Sequence, residues 1–175
     1  ENKLLSKFDG ITEIEDLKTV VSKDSEGNDI KLVLSRTCEI KVLDPKTGIV
    51  LSSNVIPYGS SIHVKNGAKI KKDDLICSWD PYNGVIISEF GGKVEYENIE
   101  QGVTYQVEID EQTGFKEKVI SESRNKKLIP TLLINDNKGK NIRTYNLPVG
   151  AHLIVDDGEK VEQGKILVKI PRKSA

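Results

Sequence analysis

The chain has 175 residues, and its 26 lysines and arginines nearly cancel 27 aspartates and glutamates, leaving a formal net charge of −1. That balance excludes a global field recruiting nucleic acid or membrane, so any such contact has to come from a local patch. At 37% hydrophobic and 30% charged residues the composition is that of a globular protein, no apolar stretch approaches the roughly 18–20 residues that cross a bilayer, and no signal peptide is visible.

Period-two alternation runs through the sequence. Ile11-x-Glu13-Ile14 leads to Leu17 and Val20-Val21, then a polar turn over 23–29 containing Gly27, then Ile30-x-Leu32-x-Leu34, the pattern of a hairpin. Ile40-x-Val42 meets the turn Asp44-Pro45-Lys46-Thr47-Gly48, followed by Val50, Val55 and a Pro57/Gly59 corner. Ile62-x-Val64 precedes Asn66-Gly67, a dipeptide that predicts a second tight hairpin. Leu75-Ile76-Cys77 closes this half. Val85-Ile86-Ile87 and Gly91-Gly92 open the next, where Asp110-Glu111-Gln112-Thr113-Gly114 takes the place of the 23–29 turn. No window of 11 or more residues carries convincing i, i+3, i+4, i+7 apolar spacing, so an all-β chain with at most one helical turn is expected.

The second half repeats the first. At an uninterrupted offset of 91, Ile56-Pro57-Tyr58-Gly59 returns as Leu147-Pro148-Val149-Gly150, Ile62-x-Val64 as Leu153-x-Val155, Gly67 as Gly158, Lys69-Ile70 as Lys160-Val161 and Leu75-Ile76 as Ile166-Leu167. The same offset maps Val42-Leu43-Asp44 onto Leu133-Ile134-Asn135 and Gly48 onto Gly139, while Gly10 to Leu17 matches Gly92 to Ile99 at offset 82. Identity survives mainly at Gly and Pro, and apolar character at alternate positions, as a repeated backbone path requires. The repeat covers about 8–80 and about 84–172 and predicts two tandem domains, 1–82 and 83–175, each a small barrel or sandwich. The chain has no methionine, even at position 1, and is expected to be a processed product or a piece of a longer polypeptide.

Candidate chemistry is sparse. Cys38 and Cys77 fall on apolar strand patterns, opposite Ile129 and Val168 in the repeat, and read as buried reduced thiols, with a disulfide as the alternative. With His63 and His152 they could ligate zinc only without any C-x₂-C or H-x₃-H pair. His63 lies between inward Ile62 and Val64 and so faces solvent; neither histidine recurs in the repeat, and no nucleophile motif is present. The acidic run at 24–29 resembles a calcium loop but has Ser35 where the bidentate Glu belongs, so it reads as a hairpin loop, and Asp156-Asp157-Gly158-Glu159 as a turn. Gly91-Gly92 lacks phosphate-loop spacing. Lys69, Lys71 and Lys72 read as a solvated strand edge rather than a phosphate site. No catalytic, cofactor-binding or metal-binding residue is therefore assigned.

Two families come into view. The run from Gly59 to Ile76, G-x-x-I-x-V-x-x-G-x-K-I-x-x-x-x-L-I, resembles lipoyl or biotinyl carrier domains, but lacks the methionine-flanked lysine and has no Asp-Lys-Ala-like tip. The alternative function is accordingly a free-standing carrier or binding module. The fuller likeness lies in Trp79-Asp80-Pro81-Tyr82-Asn83, the stretch Val85-Ile86-Ile87-Ser88-Glu89-Phe90-Gly91-Gly92-Lys93-Val94, the 110–114 loop, Leu167-Val168-Lys169-Ile170-Pro171-Arg172 and the Ile56-Pro57-Tyr58-Gly59 corner. These resemble the β′ subunit of bacterial RNA polymerase, and specifically the lineage-specific insertion that interrupts its trigger loop. That resemblance implies two sandwich-barrel hybrid motif domains in a cytoplasmic, DNA-templated nucleotidyltransferase. It implies a noncatalytic part that modulates trigger-loop movement, pausing and elongation, since the Asn-Ala-Asp-Phe-Asp-Gly-Asp motif and the zinc cysteines are not in this sequence. Magnesium and zinc are expected elsewhere in the full subunit. Implied partners are the remainder of β′ and the other polymerase subunits, with downstream DNA as a further candidate, secondary-channel transcription factors indirectly, and no membrane.

Overall fold

The computed structural model describes residues 2–172. They fall into two compact units that divide between Pro81 and Tyr82, and among the described residues every regular element is a strand. The first unit holds β1 (Lys3–Leu5), β2 (Gly10–Glu15), β3 (Thr19–Lys23), β4 (Asp29–Val33), β5 (Cys38–Leu43), β6 (Val50–Ile56), β7 (Ser61–Ile62), β8 (Lys69–Ile70) and β9 (Leu75–Ser78). The second holds β10 (Asn83–Ile87), β11 (Gly92–Glu97), β12 (Tyr105–Ile109), β13 (Lys116–Ile120), β14 (Thr131–Asn135), β15 (Asn141–Asn146), β16 (His152–Leu153), β17 (Lys160–Val161) and β18 (Ile166–Pro171).

Each unit is two antiparallel sheets with one apolar face apiece. In the first, a five-stranded sheet ordered β1-β9-β7-β4-β3 and a four-stranded sheet ordered β6-β5-β2-β8 both contribute to one core: Val33, Ile62 and Cys77 from one, Ile14, Ile40 and Ile56 from the other. The second unit repeats this strand for strand, as β10-β18-β16-β13-β12 and β15-β14-β11-β17, around Ile120, Leu153 and Val168 on one side and Val94, Leu132 and Ile134 on the other. Alternate burial along β5, where Cys38, Ile40 and Val42 are inward and 39, 41 and 43 only partly covered, is the period-two signal realised in packing. The all-β architecture of tandem small sandwich or barrel units expected from the sequence is thus present.

Glycine makes the close approach between strands possible. A Cβ at Gly10 would stand 2.4 Å from Leu43 O, and one at Gly92 2.5 Å from Asn135 O, so both copies need a hydrogen atom at this point. Asp16 and Asn98, which follow β2 and β11, share a left-handed φ of 58° and 57°. Asx side chains tolerate that conformation by bonding locally. The turn at Gly67 (φ 77°) and its twin at Gly158 (φ 83°) likewise share one backbone path.

Three details of the repeat differ from the sequence reading. The offset is not 91 throughout. Ile11 pairs with Leu43 and Lys93 with Asn135, so β5 maps onto β14 at offset 92, and Val42 corresponds to Ile134 rather than Leu133. The residue is lost in the turn: Asp44 N–H closes on Ile49 O, but Asp136 N–H on Lys140 O. Cys38 therefore matches Pro130, not the exposed Ile129. Second, Asn66-Gly67 is a turn but not a β-hairpin, because the strands beside it, β7 and β8, belong to different sheets. Gly67 N–H donates to Thr12 O at 2.9 Å and Asn66 Oδ1 accepts Ile14 N–H at 2.9 Å, so the turn is a crossover pinned to β2. Third, the repeat starts earlier than residue 8. β1 is the counterpart of β10, and Ser6 and Ser88 each donate from a buried hydroxyl to the carbonyl two residues on, at 2.7 and 2.6 Å.

Candidate functional site

The acidic loops are fixed by their own backbones. Asp24 Oδ1 accepts N–H bonds from Glu26 at 2.9 Å and Asn28 at 2.8 Å, and Asp136 Oδ1 accepts from Lys138 and Lys140, both at 2.9 Å. Asp110 holds the β12–β13 turn the same way, accepting from Gln112 at 2.8 Å. Carboxylates so engaged are turn-formers with spare capacity only toward solvent. Asp157 Oδ1 accepts Tyr96 N–H at 2.9 Å, the bond that Asn66 makes to Ile14 in the first unit. The acid-rich run at 156–159 thus has a structural duty shared by both copies after all, carried by an Asx side chain. Among the described residues no group of three or more His, Cys, Asp and Glu side chains could hold a metal ion.

The histidines are in separate units. His63 is exposed on β7's continuation, with Nε2 3.3 Å from Ser78 Oγ. His152 Nδ1 lies 2.9 Å from Glu117 Oε2, a contact that places a proton on Nδ1 because a carboxylate only accepts. Both cysteines are free and fully buried. Burial pushes the Cys77 thiol up to about 11, with the Ser60 hydroxyl pulling it part of the way back. Burial, reinforced by Asp16, raises Cys38 too. Neither thiol is a nucleophile at neutral pH. Lys69, Lys71 and Lys72 are exposed around a turn whose backbone is capped by carboxylates: Asp74 Oδ2 accepts Lys71 N–H at 3.0 Å and Asp9 Oδ1 accepts Lys72 N–H at 2.7 Å.

One polar cluster went unsingled by sequence. Lys118, on the inward side of β13, directs its ammonium over the rings of Tyr96 (5.0 Å) and Tyr105 (5.9 Å) and donates to Asp156 Oδ1 at 2.9 Å and Tyr96 Oη at 3.2 Å. Tyr96 Oη in turn donates to Val155 O at 2.5 Å. Burial alone would lower the lysine's pKa, but its bonds to Asp156 and Tyr96 outweigh that and hold it above the ordinary value. Two of its three N–H donors are thus bonded to protein, and the ammonium lies beside two aromatic faces. The sequence carries little hint of it, because β13 reads Lys116-Glu117-Lys118-Val119-Ile120 and Lys118 is one of three charged residues in a row.

The most suggestive geometry concerns where the chain enters and leaves. β1 pairs antiparallel with β9 and β10 with β18, so each unit starts and ends on one strand pair. Trp79 N–H donates to Asn2 O at 3.0 Å, and Arg172 N–H to Tyr82 O at 2.8 Å. Within each unit the first and last strands therefore lie side by side. A module with neighbouring ends can interrupt a loop of another domain without unravelling it.

No family model matches the chain. Over all 175 residues it is 63% identical to the DNA-directed RNA polymerase subunit β′ of Flavobacterium psychrophilum. It is 48% identical over 173 residues to that of Parabacteroides distasonis and 46% over 169 residues to that of Bacteroides thetaiotaomicron, matches covering 98% and 97% of the chain. In each case the chain spans 12% of the relative's length.

Proposed function

We propose that this chain, which belongs over its whole length to the DNA-directed RNA polymerase β′ subunit family, is a noncatalytic insertion that rides on the polymerase trigger loop and modulates pausing and elongation. The observation that carries the reading is a full-chain match to only 12% of β′, joined to the paired entry and exit strands of each unit. A rigid body tethered to a folding loop shifts that loop's open–closed balance through any contact made in one state only. A differential contact of ~1–2 kcal/mol changes the balance by roughly 5–30-fold, enough to reset pause lifetimes. The remainder of β′ and the other polymerase subunits are its partners on this reading, and the compartment is the cytoplasm.

The carrier alternative asks for a modified lysine at the tip of a hairpin. The matching turn carries Asn66 and Gly67 and crosses between sheets, which favours the polymerase reading.

Deleting residues 2–172 from the intact β′ subunit and rejoining the loop tests it. The assembled enzyme is expected to synthesise RNA with altered pause lifetimes and an altered response to secondary-channel factors. Complete loss of synthesis by a correctly assembled enzyme would show that catalysis needs this segment. Pausing, elongation and cleavage rates equal to wild type would remove the modulatory role.

A further inference from the structure

Asparagine followed by glycine is chemically labile. Glycine has no side chain to shield its amide nitrogen, so that nitrogen can attack the asparagine Cγ, lose its proton and expel ammonia. Water then opens the resulting succinimide to aspartate or isoaspartate. The sequence holds two such pairs, Asn66-Gly67 and Asn83-Gly84. The second lies in β10, paired with β18. The first lies in the crossover between β7 and β8, with Gly67 at a left-handed φ of 77°.

Both reacting groups of Asn66-Gly67 are engaged by β2. Gly67 N–H donates to Thr12 O at 2.9 Å, and Asn66 Oδ1 accepts Ile14 N–H at 2.9 Å. A nitrogen held as a donor keeps its proton, and a carboxamide fixed on Ile14 is not free to swing its Cγ toward Gly67. Thr12 adds a clasp. On the inward face of β2 and only 2% exposed, its Oγ1 donates to Lys65 O at 2.6 Å and accepts Ala68 N–H at 3.0 Å. The hydroxyl thus grips the backbone on both sides of the labile pair. The second unit makes the same backbone bond, Gly158 N–H to Val94 O at 2.7 Å, and the same Asx bond, Tyr96 N–H to Asp157 Oδ1 at 2.9 Å. It has valine in place of the threonine, and aspartate in place of the asparagine. The copy that buries a hydroxyl here is the copy with the labile amide.

We propose that Asn66 is a deamidation site gated by the Thr12 hydroxyl, converted only when the 65–68 crossover opens locally. The aspartyl product fits the closed turn, because Asp157 shows a carboxylate oxygen accepting the same N–H on the same backbone path. The isoaspartyl product does not. It carries an extra methylene in the main chain and moves the carboxylate away from Ile14 N–H, so the bond that pins the turn to β2 is lost.

The test incubates the 175-residue chain at mildly alkaline pH, folded and in guanidinium chloride. Peptide mass spectrometry follows conversion at Asn66 and Asn83, and hydrogen exchange follows the Gly67 amide. Conversion at Asn66 is expected to be at least about tenfold slower in the folded chain, and the slowing should match the protection of Gly67 N–H within about threefold, since both need the same opening. Thr12→Val, which copies the second unit, should speed conversion at Asn66 in the folded chain by about fivefold or more and leave Asn83 unchanged, whereas Thr12→Ser, which keeps the hydroxyl, should stay near wild type. Asn66→Asp should unfold within about 0.5 M urea of wild type, and the isolated isoaspartyl chain at clearly lower urea. Equal rates at Asn66 in folded and unfolded chain, slowing that does not follow Gly67 protection, or a folded Thr12→Val chain converting at the wild-type rate would overturn the gate. No conversion at Asn66 in guanidinium chloride would overturn the site. Should Thr12→Val fail to fold, the wild-type comparison of conversion with Gly67 protection decides.

Discussion

Replacing Gly10 or Gly92 with alanine isolates the tightest requirement of this fold. At Gly10 the new methyl would lie 2.4 Å from Leu43 O and 2.7 Å from Val42 Cγ1; at Gly92, 2.5 Å from Asn135 O and 2.8 Å from Ile134 Cγ2. Ordinary contact for such a pair begins near 3.4 Å, so an oxygen of the neighbouring strand has to retreat by almost an ångström. That oxygen is backbone within the β2–β5 or β11–β14 ladder, and it moves only if the register residues beside it move as well. Overpacking costs about 1–3 kcal/mol in general, and the immobility of the clashing atom puts this case near ~3 kcal/mol. With a urea m-value of roughly 1 kcal/mol/M for units this small, the midpoint of the altered unit should fall by about 2–3 M at unchanged m, and its Tm by roughly 12–24 °C. Urea unfolding followed by Trp79 fluorescence for the first unit, and by amide signals for the second, reads each separately. Gly67→Ala is the internal control: nothing lies within 4 Å of its Cβ and only the φ of 77° is violated, so it should cost about 1–2 kcal/mol. Midpoint shifts below about 0.5 M for both Gly10→Ala and Gly92→Ala would mean that the strands part easily and that close approach is not why glycine is there.

Two further tests concern the first unit. Asp73 has φ 72° and donates its N–H to Ser6 O, where the second unit has Gly164 at φ 94° making the same bond to Ser88; Asp73→Gly should therefore stabilise the unit by up to about 1 kcal/mol, measured by urea titration, and a destabilisation would show that the carboxylate matters more than the strain. Cys77 should resist thiol reagents in the folded chain at pH 8 and react on unfolding. Because its folded pKa of about 11 exceeds the ordinary 9.0, the folded state holds its proton longer. The contribution is complete below about pH 9 and is lost as pH rises toward 11, by up to about 1.4 kcal/mol per unit. A Cys77→Val variant should lose that alkaline dependence, and an identical pH profile would place the titrating group elsewhere.

The sequence by itself determined the elements whose conformation is local. The 23–29 turn, the Pro57/Gly59 corner and the twin turns at Gly67 and Gly158 stand where Gly, Pro, Asn and Asp put them, since a left-handed or fixed φ constrains few residue types and is legible without knowing what lies across the sheet. Inward alternation did the same for Ile40, Val42 and Ile56. Only the tertiary structure decided which strands pair. The sequence around Asn66-Gly67 is that of a hairpin, yet β7 and β8 end in opposite sheets because Gly67 and Asn66 bond to β2, more than fifty residues upstream. Thr12 faces the core beside apolar neighbours because Lys65 O, 2.6 Å away, and Ala68 N–H, 3.0 Å away, satisfy its hydroxyl, whereas the second unit places Val94 there. The enclosure of Lys118 by Tyr96 and Tyr105 has the same origin. Each depends on a partner distant in the chain, and single-chain periodicity carries no information about what stands opposite a residue, only about which way it faces.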